Sequence, residues 1–139
     1  MDENKKHVDN NRLIAESKER LKELSCINRT TSIIRESKSI EETLNKIVLL
    51  LPEAWQYPEF TVAQITYNNK KFVSPRFINT EWSLKQSFET IDGDIGVIQV
   101  CYIKELPISF EGPFLKEERE LLNNISNLIL GHVNGVKAK

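Results

Sequence analysis

The chain has 139 residues and a net charge of −1, which fits one domain and leaves no basic excess of the kind that nucleic-acid-binding proteins carry. Its apolar content of 40% is ordinary for a soluble domain, and no apolar run reaches the roughly 20 residues that cross a bilayer. Residues 1–11 also lack the apolar core of a secretory signal. These features predict a cytoplasmic protein with no membrane span and no nucleic-acid partner.

The first helix is predicted from apolar residues that recur at three-, four- and seven-residue intervals over residues 12–36, after a flexible lead-in over residues 1–11. Within it, Ile14, Leu21 and Leu24 are spaced like a short heptad seam. This seam indicates a surface that could pack against another helix.

Two further helices are predicted. Ser39 can cap a second helix, Glu42 completes its capping box, and Pro52 stops it because proline lacks an amide donor. A wide apolar stripe over about residues 114–135 predicts a long last helix, with acidic residues at its positive end.

Between these helices the apolar period changes to two, which is typical of strands. The predicted strands are residues 60–67, 70–73, 82–91 and 94–104. The last of them is apolar on both faces, which favours a central strand covered on both sides. The order α-α-β-β-β-β-α predicts one α+β domain over residues 12–136, with an antiparallel sheet of four or five strands, the N-terminal and C-terminal helices on one face, and a short tail over residues 137–139.

Local motifs in this order resemble those of the GAF domain. They are the hairpin and strand TIDGDIGVIQV at residues 90–100, the helix opening FLKEERELL at residues 114–122, and the segment LPEAWQYPE at residues 51–59. The last is similar to the P-x-x-W-Q-Y-P-E segment of a shortened GAF subtype found next to bacterial and archaeal sensor histidine kinases. The resemblance covers residues 22–133.

The resemblance implies a non-catalytic sensory domain that is the input module of a sensor histidine kinase or a related phosphotransfer protein. It also implies a homodimer that forms along the first and last helices, and we predict the interface residues from the apolar stripes of those helices. They are Ile14, Leu21, Leu24, Ile125 and Ile129.

An aromatic group near the middle of the chain has two interpretations. It could line a pocket for a small-molecule ligand, with an arginine to pair with an anion, or it could cover a sheet face that the short connection at residues 74–81 leaves bare. Covering the sheet is the favoured interpretation. The candidate ligand-binding residues are Trp55, Tyr57, Phe72, Arg76, Phe77 and Trp82.

No catalytic residue, metal ion or cofactor is predicted. The two cysteines, Cys26 and Cys101, and the two histidines, His7 and His132, are too few and too widely spaced for a metal site. His132 lacks the sequence context of a phosphoacceptor, and we expect a half-exposed helix residue. Adjacent acidic pairs such as Glu117 and Glu118 suit a helix start better than acid–base catalysis.

Two other functions stay open. One is a purely structural dimerisation module without a ligand. The other is a small GAF-like thiol reductase of the free-methionine-sulfoxide kind, which would need several reactive cysteines facing a closed pocket. Cys26 on a helix and Cys101 in a central strand fit that chemistry poorly.

Overall fold

The computed structural model describes the backbone of residues 2–138 and the side chains of residues 13–15 and 17–138. Its helices are α1 (Asp2–Glu36), α2 (Ile40–Leu50) and α3 (Lys116–Lys137), and its strands are β1 (Thr61–Tyr67), β2 (Lys70–Val73), β3 (Ser83–Glu89) and β4 (Ile95–Tyr102). The prediction of an α+β fold with an antiparallel sheet is confirmed. Within the described residues the sheet has four strands and no fifth.

The sheet has the strand order β2-β1-β4-β3. Strand β4 therefore lies in the centre, as its apolar sequence predicts. In the register, Ile65 of β1 lies opposite Ile98 of β4, and Leu84 of β3 lies opposite Val100. These four side chains are fully buried in the same core as residues of α2 and α3.

The helices supply the rest of that core. Helix α3 packs on β3 and on α1, while α2 packs on β1 and β2. Periodic apolar residues explain this, because Leu121, Leu122, Ile125, Ile129 and Val133 form one stripe of α3 and are all buried. No helix in the described part of the chain is both long enough and apolar enough to cross a bilayer.

The ends of the helices follow identifiable chemistry. Ser39 caps α2 by accepting a hydrogen bond from the amide of Glu42, as predicted. The chain then continues into a 3-10 turn at Leu51–Ala54, because Pro52 is tolerated in the first turn of a helix. A second 3-10 turn, Pro58–Phe60, leads into β1.

The boundaries at the two ends of the chain differ from the sequence pattern. Helix α1 begins at Asp2, earlier than the predicted start near residue 12, and α3 continues through Lys137 into the predicted tail. The flexibility expected of residues 1–11 stays a prediction, and their side chains lie outside the described part. Residue 139 lies outside it as well.

The other face of the sheet is crossed by the connection between β2 and β3. These strands lie at opposite edges, so residues 74–82 must pass over β1 and β4. Ser74 Oγ accepts a hydrogen bond from the amide of Ala63 (2.8 Å), and Asn79 accepts one from Gln99 Nε2 (2.7 Å). Cys101 is buried on this face, whereas Ile95 is 62% exposed. Strand β4 is therefore covered on both faces only towards its carboxyl end.

Gly96 of β4 provides a test of this packing. A Cβ at Gly96 would overlap the ring of Phe88, which lies opposite it on β3. Gly96→Ala should therefore lower the free energy of unfolding by about 1–3 kcal/mol, because an overpacked core must shift. Denaturant unfolding followed by circular dichroism measures the change.

The matched control is Gly131→Ala. A Cβ at Gly131 meets no atom within 4 Å, and alanine suits a helix interior better than glycine. We expect this variant to be as stable as the natural chain or more so. Equal stability of both alanine variants and the natural chain would contradict the close approach of Phe88 to Gly96.

Candidate functional site

The predicted ligand-binding residues lie on two sides of the sheet. Trp55 is fully buried in the helix-side core. Tyr57, Phe72 and Trp82 are partly buried and pack against that core. Arg76 and Phe77 lie in the connection that crosses the opposite face. The sheet separates the two groups, because Phe72 lies opposite Ile65 in the register and so faces the helices.

This separation changes the interpretation of the aromatic group. Trp55 has no exposed surface with which to contact a ligand. Arg76 is exposed and lies in a turn, where its backbone has a φ of 64°. The six residues therefore do not form one pocket in this structure.

The predicted interface residues also fall into two sets. Ile14, Leu21 and Leu24 of α1 are 66%, 67% and 52% exposed. Ile125 and Ile129 of α3 have no exposed surface, because they pack against the sheet within the chain itself. A contact surface can therefore include the α1 residues but not these two residues of α3.

The exposed apolar side chains of α1 form a stripe along one face of the helix. Ile14, Leu21 and Leu24 are separated by seven and three residues, a spacing that places them on the same side. Leu21 also lines an open groove of about 330 Å³ between α1 and the end of α2, with Arg29 and Glu53 on its wall. Arg29 Nη1 donates a hydrogen bond to Glu53 (2.5 Å).

A buried glutamate joins three parts of the chain. Glu118 is only 3% exposed, and its carboxylate accepts three hydrogen bonds. The donors are the amide of Leu115 (2.8 Å), the amide of Gln56 (2.8 Å) and the hydroxyl of Tyr102 (3.1 Å). The carboxylate thus ties the start of α3 to the segment after α2 and to the end of β4.

The electrostatics of this cluster follow from its burial. Desolvation raises the pKa of Glu118 above its usual value, while the hydrogen bonds from Leu115, Gln56 and Tyr102 oppose that shift. Burial and the neighbouring carboxylate of Glu118 raise the pKa of Tyr102, so its hydroxyl stays protonated and remains a donor. Burial and the nearby charges of Glu120 and Glu117 raise the pKa of Glu23 on α1.

Sequence reasoning assigned Glu118 to a helix start and missed its buried role. The signal was present, because Glu118 is separated by three, four and seven residues from Leu121, Leu122 and Ile125 and so belongs to the apolar stripe of α3. A charged residue inside a buried stripe requires partners. The Gln56 amide, from the segment LPEAWQYPE, is one of them.

The cysteines do not come together. Cys26 is buried on α1, and burial raises the pKa of its thiol to about 11. Cys101 is buried on the opposite face of the sheet, where Gln99 Nε2 lies 3.2 Å from its sulfur. Among the described side chains, no three His, Cys, Asp or Glu residues are arranged to hold a metal ion.

The chain was compared with known proteins. No protein-family model matches it, and no curated protein is significantly similar to it. The geometry of the described residues must therefore carry any functional argument.

The hydrogen bond from Tyr102 to Glu118 predicts a pH-dependent effect of Tyr102→Phe. The variant keeps the ring, which stacks on Phe114 with centroids 4.6 Å apart, but removes a donor to a buried carboxylate. We expect a loss of about 1.5–3 kcal/mol in the free energy of unfolding near pH 7. Without this donor the pKa of Glu118 rises further, so protonation restores stability and the loss shrinks as the pH falls towards 4.5.

Urea unfolding at a series of pH values measures this difference. Tyr57→Phe is the control, because the Tyr57 ring packs edge-on against Tyr102 but the three donors to Glu118 remain. In a Glu118→Gln background, Tyr102→Phe should cost less, and its cost should not vary with pH. A pH-independent loss in the natural background would contradict a charged acceptor at Glu118.

Proposed function

We propose that this chain is a non-catalytic regulatory domain of the GAF type, which dimerises through α1 and serves as the input module of a sensor histidine kinase or a related phosphotransfer protein. In this proposal, α1 and α3 are the terminal helices of a GAF domain, and they pack against each other. The observation that carries it is the exposed apolar stripe of Ile14, Leu21 and Leu24 on α1.

The spacing of the three residues suits a helix–helix contact. A long helix with exposed apolar residues at heptad spacing is suited to packing against a second helix of the same kind. In a two-fold symmetric pair each residue meets its own copy or a near neighbour. A parallel pair of α1 helices would therefore bury Leu21 against Leu21 and Leu24 near Leu24.

The buried thiols support a regulatory role over a thiol reductase. A reactive cysteine is a thiolate with solvent access, whereas burial keeps Cys26 protonated at neutral pH. Cys101 lies on the other side of the sheet, so the two sulfur atoms have no common pocket. The choice between a sensor and a purely structural dimerisation module rests on whether the domain binds a ligand.

Hydrogen bonds between the β3–β4 hairpin and the end of α3 also support the proposal. Near the end of α3, Lys137 Nζ donates to Asp92 and to Asp94 of the β3–β4 hairpin, each at 2.6 Å. Asn134 accepts a hydrogen bond from the amide of Ile91 in the same hairpin (3.0 Å). A change in the sheet would therefore displace the last turn of α3.

The α1 stripe predicts a dimer that should dissociate when two charged side chains are introduced into the stripe. Leu21→Glu with Leu24→Glu should convert a dimer into a monomer of 16.1 kDa, because four carboxylates would face one another across the seam. The melting temperature of the monomer fold should change little, since both side chains are more than half exposed. Sedimentation velocity over a range of concentrations measures the molar mass.

Ile108→Glu is the matched control, because Ile108 is 88% exposed but lies in the loop before α3. It should leave the dimer intact. Leu21→Cys should in addition form a cross-link between subunits under mild oxidation if the helices run parallel. A natural chain that stays monomeric at high concentration would overturn the proposed dimer.

A further inference from the structure

A second groove lies at the other end of α1. It has a volume of about 490 Å³ and is bounded by residues 34, 35 and 37–39, where α1 passes into α2, and by residues 131, 132, 135 and 136 of α3. It lies apart from the Leu21 stripe and from the six predicted ligand residues.

The charge of this groove is positive. Its charged lining residues are Arg35 and Lys38, and none of its lining residues is acidic. His132 also lines it, with Nε2 at 3.2 Å from the hydroxyl of Thr43. The nearby carboxylate of Glu42 is already engaged, because it pairs with Lys46 (2.9 Å) and accepts the amide of Lys38 (2.8 Å). Arg35, which also donates a hydrogen bond to Ser32 (3.3 Å), and Lys38 therefore line a space with no acidic side chain in its wall.

The space itself depends on two glycines. Gly131 and Gly135 are four residues apart on one side of α3, and a Cβ at either would meet no atom within 4 Å. Glycine is unfavourable inside a helix, so these positions leave room at a cost in helix stability. Side chains there would occupy the groove.

A buried polar atom lies in the same wall. The hydroxyl oxygen of Ser37 is out of contact with solvent and has no hydrogen-bond partner among the described residues. Buried hydroxyls are normally paired, and an unpaired one is expensive. Solvent in the groove does not reach this oxygen, so a ligand there would contact only the outer atoms of Ser37.

We propose that this groove binds a small organic phosphate. Arg35 would pair with two phosphate oxygens through its planar guanidinium, and Lys38 would supply a second charge to a group that carries nearly two negative charges. Ile34 and Val136 would contact the apolar part of the ligand. The inference does not depend on the proposed dimer.

The test is a titration of the ¹⁵N-labelled chain with inorganic phosphate, and with phenyl phosphate as an organic probe, against chloride at equal ionic strength. We expect saturable amide shifts confined to residues 34–39 and 131–136. Arg35→Gln and Lys38→Gln should each weaken binding about tenfold, the equivalent of one lost charged hydrogen bond. Lys116→Gln, about 22 Å away along α3, should bind as the natural chain does.

Gly131→Leu separates binding in the groove from general attraction to positive charge. It keeps Arg35 and Lys38 but fills the space, so phosphate binding should be lost. If the leucine variant does not fold, Gly131→Ala takes its place and should bind phosphate more weakly than the natural chain. Unchanged binding to the variant used, unsaturable shifts, or equal shifts with chloride would overturn the proposal. The Leu21→Glu, Leu24→Glu variant should still bind phosphate, so failure of the dimer and failure of this site are distinguishable.

Discussion

The carboxylate of Glu118 is the interaction on which the arrangement of the core depends. It sits where the start of α3, the end of β4 and the segment after α2 meet, and each of these supplies one donor to it. A buried charge is tolerated only when its lone pairs are satisfied, so the three donors must stay in place together. Trp55, which precedes Gln56 in the chain, is fully buried in the same core.

With that junction fixed, the two faces of the sheet have different roles. The helix face is closed by α2 and α3, and its aromatic residues belong to the core. The opposite face is crossed by one connection and is covered only in part, since Ile95 and Val73 remain 62% and 45% exposed. Neither face encloses a chamber with converging thiols or acids among the described residues. Surfaces on the helices are therefore better candidates for function than the interior.

Much of this fold could be predicted from the sequence. Period-two segments identified all four strands, and Asp92-Gly93 identified the β3–β4 hairpin, where Gly93 has a φ of 90°. The stripes of α1 and α3 look alike in sequence, however, and periodicity does not say whether a stripe meets the chain's own sheet or another molecule. Ile125 and Ile129 were misassigned for this reason.

The candidate sites could not be predicted in the same way, because they are formed by residues that are far apart in the sequence. Trp55 and Phe77 are 22 residues apart, and the strand order together with the crossing connection places them on opposite sides of the sheet. Glu118 was recognisable only as a charge within a buried stripe. The phosphate groove joins the α1–α2 turn to residues 131–136, a proximity that only the packing of α3 creates.

Helix α3 and strand β4 are joined at both of their ends. Tyr102, the last residue of β4, meets Glu118 at the beginning of α3, and the hairpin that precedes β4 meets Lys137 at the end of α3. Because α3 is bonded at both ends, it can neither slide along β4 nor turn about its own axis without breaking charged hydrogen bonds. Strand β4 and helix α3 should therefore move together, and a displacement of one of them would be shared by the other.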